Sequence, residues 1–123
     1  MILAVDLRIG NLITVSGVIY EITGISAKKI SCKDYKGSFT LEEADPIPLT
    51  AELLEKAGFR ELRKSSWFDK VPNEGFSYKL HSNRVMIFHP GENTLSHSLN
   101  TYIAFFHQLQ NLYYCLTGRE ITL

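Results

Sequence analysis

The feature that most constrains this chain is Asp45-Pro46-Ile47-Pro48-Leu49, where two prolines flank a single residue. Each proline fixes its own φ and pushes the residue before it out of the helical region, so no regular helix can run through this stretch. The chain is thereby divided into a segment 1–46 and a segment 47–123, two subdomains that can share one core. At 123 residues the whole is long enough to bury a core without staples. Its 45% hydrophobic and 21% charged content excludes disordered and collagen-like classes.

The first segment reads as short strands separated by glycines, with Gly10, Gly17, Gly24 and Gly37 each following about one strand's length. The runs are 12–15, 18–23, 28–33 and 37–41, and Ser16-Gly17 closes the first hairpin. Along the second run Val18, Tyr20 and Ile22 alternate with Ile19, Glu21 and Thr23, which predicts one core face and one partly wet face. The expected architecture is a small barrel-like β-module.

Beyond the prolines, Thr50 stands as N-cap of a short helix that ends at Gly58, with Leu49 and Leu54 at hydrophobic-staple spacing. Runs at 60–63, 67–71, 76–81 and 84–89 then predict an antiparallel meander, with turns at 72–75 and 82–83 and a loop at 90–94. A long helix is expected from about Leu99 to Thr117, stopped by Gly118. On it Tyr102, Phe105, Phe106, Leu109, Leu112, Tyr113 and Leu116 share one stripe. Residues 120–123 have the character of a short edge strand. The fold class is therefore α+β.

Charge narrows function. Thirteen Lys+Arg balance thirteen Asp+Glu, and neither 1–50 (five against six) nor 51–123 (eight against seven) is a basic arm. The broad electrostatic attraction of non-specific nucleic-acid and membrane binders is therefore missing. No basic n-region or membrane span opens the sequence, so a cytoplasmic protein is expected. Cys32 and Cys115 have no metal-like spacing and read as reduced, partly buried thiols.

Catalysis finds no foothold. No phosphate-cradling glycine loop, dinucleotide fingerprint or nucleophile elbow occurs. His81, His89 and His97 recur every eight residues, a spacing that guarantees no convergence on a metal. The expected tally is no catalytic residue, no metal and no cofactor.

Two surfaces remain. On the terminal helix His107, Asn111 and Tyr114 lie nearly opposite the apolar stripe and form a candidate partner-binding face; the bland alternative is that they satisfy one another beneath the β-module. Lys28, Lys29 and Lys33, together with the basic and aromatic cluster of Arg63, Lys64 and Trp67, form a candidate nucleic-acid surface. A third possibility is a small-ligand binder or enzyme with a pocket between the subdomains lined by His81, His89 or His97.

Three stretches carry a resemblance: Asp6-Leu7-Arg8-Ile9-Gly10-Asn11-Leu12, then Asp45-Pro46-Ile47-Pro48-Leu49-Thr50 with Glu52-Leu53-Leu54 and Gly58-Phe59, then His107-Gln108-Leu109-Gln110-Asn111-Leu112-Tyr113 with Leu116-Thr117-Gly118. Together they resemble a family of small uncharacterised proteins from prophage and mobile-element regions of anaerobic gut bacteria. The resemblance implies a bacterial or phage cytoplasm and an accessory role, and it carries over no site residue. The leading expectation is a non-enzymatic interaction protein that binds an unidentified protein partner through the barrel-like module or the exposed helix face, and a nucleic-acid-binding module is the alternative.

Overall fold

A computed structural model describes residues 2, 6–61, 67–70, 77–81, 84–90 and 96–123. Its first sheet is a meander of β1 (Leu12–Val15), β2 (Val18–Ile25), β3 (Lys29–Cys32) and β4 (Phe39–Thr40). Ser16 and Gly17 both take positive φ, +50° and +80°, the conformation a two-residue hairpin needs to match the right-handed strand twist. The resulting register pairs Ile13 with Tyr20 and Val15 with Val18 on one face, and Leu12 with Glu21 and Thr14 with Ile19 on the other. Ile13, Val15, Ile22, Ile30, Cys32 and Phe39 form the core of this sheet together with Ile2, Leu7 and Ala44.

Two expectations change here. Gly24 lies inside β2, at a register shift between Ile22 and Gly24, so it marks a bulge instead of a strand end. The barrel also stays half open, with β1 and β4 as edges. Segment 41–45 returns to the free side of β1 through one bridge, Thr14 N–H to Asp45 O at 3.0 Å and Asp45 N–H to Thr14 O at 2.8 Å.

The connector runs extended beside residues 104–106. Pro46 and Pro48 have no N–H to give, so pairing passes through the residues between and after them: Leu49 N–H donates to Ala104 O (3.2 Å) and Phe106 N–H to Ile47 O (2.8 Å). Ile47 and Leu49 are buried. Helix α1 (Ala51–Lys56) starts where expected, with Thr50 Oγ1 accepting from Leu53 N–H at 3.2 Å, and its exit uses Gly58 at φ +93°.

The second sheet is a five-stranded meander, β5 (Phe59–Glu61), β6 (Trp67–Lys70), β7 (Ser77–His81), β8 (Arg84–Pro90) and β9 (Ser96–Ile103). The expected turns at 72–75 and 82–83 lie outside the described residues, as does 91–94 of the expected loop. Strand β9 corrects the expected long helix: helix α2 spans only Phe106–Thr117. Residues 96–103 pair with β8, and the run Thr101-Tyr102-Ile103 favours strand, so long-range pairing overrides the apolar spacing that also fitted a helix. The helix start is set from inside, because Gln108 Oε1 accepts from the N–H groups of Ala104 and Phe105, both at 3.1 Å. Gly118, at φ +73°, ends it as expected. Residues 120–123 form no strand, although Ile121 is fully buried.

Apolar residues fall into two clusters. The second contains Ile47, Leu49, Leu54, Phe59, Phe68, Tyr78, Phe106, Leu109, Tyr113 and Ile121. Strand β1 serves both, since its pleat sends Leu12 to the second cluster and Ile13 to the first. Cys32 is buried, Cys115 is exposed, and both are free thiols. Among the described residues no helix is long and apolar enough to cross a membrane.

Candidate functional site

Helix α2 carries no charged residue along its twelve positions, an unusual composition for a surface helix. The reason is geometric. Phe106, Leu109 and Tyr113 pack into the second cluster, while His107 and Gln110 are buried on the side facing the N-terminal segment.

Gln110 is completely buried, and both ends of its amide are used. Its Oε1 accepts from Leu12 N–H at 2.8 Å and from Asn11 Nδ2 at 3.4 Å; its Nε2 donates to Gly10 O at 3.1 Å and Ile121 O at 2.9 Å. One side chain thus ties the start of β1 to the segment that follows α2. Asn111 continues the network outward, accepting from Asn11 Nδ2 (2.7 Å) and Arg8 Nε (3.2 Å) and donating to Asp6 O (3.0 Å). Asn11, itself fully buried, accepts Arg8 N–H at 2.7 Å, and this closes the turn through Gly10 at φ +99°.

At the rim, the Arg8 guanidinium makes a forked ion pair with Glu120, one arm at 3.1 Å, and lies over the Tyr114 ring at 4.5 Å from its centroid. The Glu120 carboxylate holds the Arg8 pKa above its ordinary value, against an opposing effect of burial. Both side chains are about a third exposed, so the pair is expected to add little: Glu120→Gln should lower stability by under about 1 kcal/mol, less at high salt. Arg8→Ala should cost more, about 1–2 kcal/mol, because the bond to Asn111 and the cover over Tyr114 go with it. Urea titrations at two salt concentrations check both values, and an equal, salt-independent loss in the two variants would contradict this division.

The face expected to meet a partner is therefore largely occupied by the chain itself. Asn111 is engaged, Tyr114 keeps 43% exposure beneath Arg8, and His107 keeps only 3%. His107 stacks parallel to Phe105, with ring centroids 6.1 Å apart. It borders a cavity of about 80 Å³ shared with Ile2, Asp6, Pro46, Phe105 and Gln108. Among the described residues its buried Nδ1 has no hydrogen-bond partner. Burial pushes the imidazole pKa below its ordinary value, and the Asp6 carboxylate opposes that shift.

The candidate nucleic-acid residues are not all placed. Lys28, Lys29 and Lys33 are exposed, Trp67 opens β6 opposite Lys79, and Arg63 and Lys64 lie outside the described residues. Near these lysines Tyr35 stacks on Phe39 at 4.1 Å and meets Tyr20 edge-on at 5.7 Å, with 40% of Tyr35 exposed. An open cleft of about 460 Å³ runs between Lys28, Thr40, Leu41 and Glu42. The strand register sets His89 opposite His97, whereas His81 lies opposite Arg84. His81 is thus five positions down β8 from His89, roughly 17 Å along the strand. Among the described residues no three His, Cys, Asp or Glu side chains group as metal ligands.

The residues that organise this region, Arg8, Asn11, Gln110 and Glu120, were not singled out as a set by sequence. The available signal was the absence of charge on α2, which means burial on more than one face. Family models, curated proteins and solved structures were each compared with the chain, and none matched.

Proposed function

We propose that the chain is a non-enzymatic interaction module that docks a protein partner through its first sheet, as an accessory factor of a phage or mobile element acting in a bacterial cytoplasm. The observation that carries this is the hairpin tip. Val18 and Ile19 are 53% and 48% exposed on opposite faces of β2, while the rival face on α2 is held by the chain's own N-terminal residues. Two large apolar side chains kept in water beside a fully formed core are a cost that partner burial would recover. The test is affinity capture from bacterial lysate at low and high salt, with wild type beside a Val18→Ser/Ile19→Ser variant that still folds. A stoichiometric protein that survives high salt and is lost with the variant supports the reading. The same capture by both proteins defeats it.

A second reading, contact with single-stranded nucleic acid, draws on Tyr35, whose ring is held rigid against Phe39 beside Lys33, with Lys28 and Lys29 at the other end of β3. It requires affinity that falls with salt, at a log–log slope of roughly −2 for three phosphate contacts. Tyr35→Ala and Lys33→Ala should both weaken it.

A further inference from the structure

Val18 and Ile19 are neighbours in sequence on opposite faces of the β1–β2 hairpin, and that arrangement restricts how a protein can cover them. Val18 shares its face with Val15 and Tyr20, and Ile19 shares the other with Thr14 and Glu21. Each face therefore carries one branched apolar side chain beside the turn, 53% and 48% exposed. A partner lying flat on one face would leave the other residue in water. Covering both requires walls on both sides.

The edges of the first sheet offer no alternative. Leu12 N–H is held by Gln110 Oε1 at 2.8 Å, and Thr14 exchanges both backbone bonds with Asp45, so β1 meets its own chain on the side away from β2. At β4, Thr40 N–H donates to Glu43 Oε1 at 3.1 Å and Thr40 O accepts from Glu43 N–H at 3.1 Å. An added strand would have to displace these bonds. Contact through side chains at the tip displaces none of them.

Charge defines the surface that fits. From Ile9 to Tyr20 the chain has no Lys, Arg, Asp or Glu, and the turn itself is Ser16-Gly17. An uncharged tip suits an apolar cleft, since a charge lining that cleft would be desolvated without a counter-charge. The first charges met on leaving the tip along Ile19's face are Glu21 and, just past β3, Lys33, whose N–H donates to Glu21 O at 2.9 Å. They fall where a polar rim belongs. A lipid surface is a poorer match, because interfacial insertion couples apolar residues to flanking Lys or Arg, and the nearest charge along β2 is acidic. A second copy of the chain is a poorer match too: the two cavities described above are lined by Asp6 in one and by Lys28 and Glu42 in the other.

We propose that the β1–β2 hairpin inserts as a plug into an uncharged, two-walled cleft of a protein partner, with Val18 against one wall, Ile19 against the other, and Glu21 and Lys33 at the mouth. This rests on the reading that the first sheet docks a protein, and it specifies the shape and chemistry of what is docked.

The test places the photo-crosslinking residue p-benzoylphenylalanine at Val18 or at Ile19 of the full chain in bacterial cells, with Thr23, exposed farther along β2, as the control position. Expected are adducts of one and the same protein from both tip positions in comparable yield, and none from Thr23. Ser16→Asp supplies a second measurement. Asp-Gly is a preferred pair for this two-residue turn, so the variant keeps the hairpin while placing a carboxylate at the tip, and both adducts should fall by about tenfold or more. Adducts from one tip position only would overturn insertion and leave docking by a single face, so the interaction reading would survive. Adducts that Ser16→Asp leaves unchanged would overturn it as well. Labelling of lipid or of a second copy of the chain would overturn it in favour of those surfaces, and no adduct from either position would defeat insertion and docking together.

Discussion

Replacing Gln110 by alanine is expected to remove about 3–5 kcal/mol of folding stability, a large share of the 5–15 kcal/mol typical of a domain. The side chain is fully buried and serves Leu12 N–H, Asn11 Nδ2, Gly10 O and Ile121 O at once. Alanine leaves one backbone donor and two backbone acceptors without their partner and opens a void where the amide stood. Each buried group stranded in this way costs on the order of 1–3 kcal/mol, donors more than carbonyls. Gln110→Glu separates the contributions. It keeps the shape and the acceptor but loses both donors and buries a charge, so at neutral pH it should be at least as damaging as alanine and should recover partly in acid. Urea denaturation followed by circular dichroism measures all three proteins. A loss under about 1 kcal/mol for alanine would mean that water replaces the amide, and that the junction between β1 and α2 does not depend on it.

That junction marks the limit of what the sequence disclosed. Local chemistry was legible wherever a residue's role is set by its neighbours in the chain. Ser16-Gly17 closes its hairpin, Thr50 caps α1, Gly58 and Gly118 end their helices, and β1 covers the expected residues. Roles set by distant partners were not legible. The stretch from Leu99 to Ile103 satisfied helical apolar spacing, yet β8 claims it as a strand, and nothing within a window of that length announces the competition. The same holds for His107 and Asn111. Polar side chains opposite an apolar stripe normally face water, and only the three-dimensional return of Asp6 and Asn11 shows that this side is covered.

Taken together, the amide network and the uncharged helix show how much of the α2 face is engaged by the chain itself. On α2, Gln110 is spent on joining β1 to the segment after the helix and Asn111 on holding the N-terminal residues, which leaves Tyr114 as the exposed member of that face. Val18 and Ile19, adjacent on β2 of the first sheet, stay in water, as do Ile9 before β1 and Tyr114 on α2. At this hairpin tip Val18 and Ile19 lie outside both core clusters, so substitution there tests binding with little effect on stability.

Phe106→Ala is expected to be the second large loss, about 3–5 kcal/mol, and its neighbour supplies the control. Were the helix to begin near Leu99, Phe105 and Phe106 would both sit in the buried stripe and truncating either would be severe. With the helix starting at Phe106, the two separate. Phe106 is completely buried within the second cluster, whereas Phe105 takes extended geometry at the N-cap, half-buried at the edge of the small cavity. Phe105→Ala should therefore cost only about 1–2 kcal/mol, the packing of a partly exposed ring. Because both changes delete the same atoms, their difference depends on burial and not on chemistry. Parallel thermal and urea unfolding of the two variants gives that difference directly. Equal losses would place both rings in one stripe and restore the longer helix; a gap of about 2 kcal/mol or more fixes the change from strand to helix between Ile103 and Phe106, where pairing with the proline connector holds it.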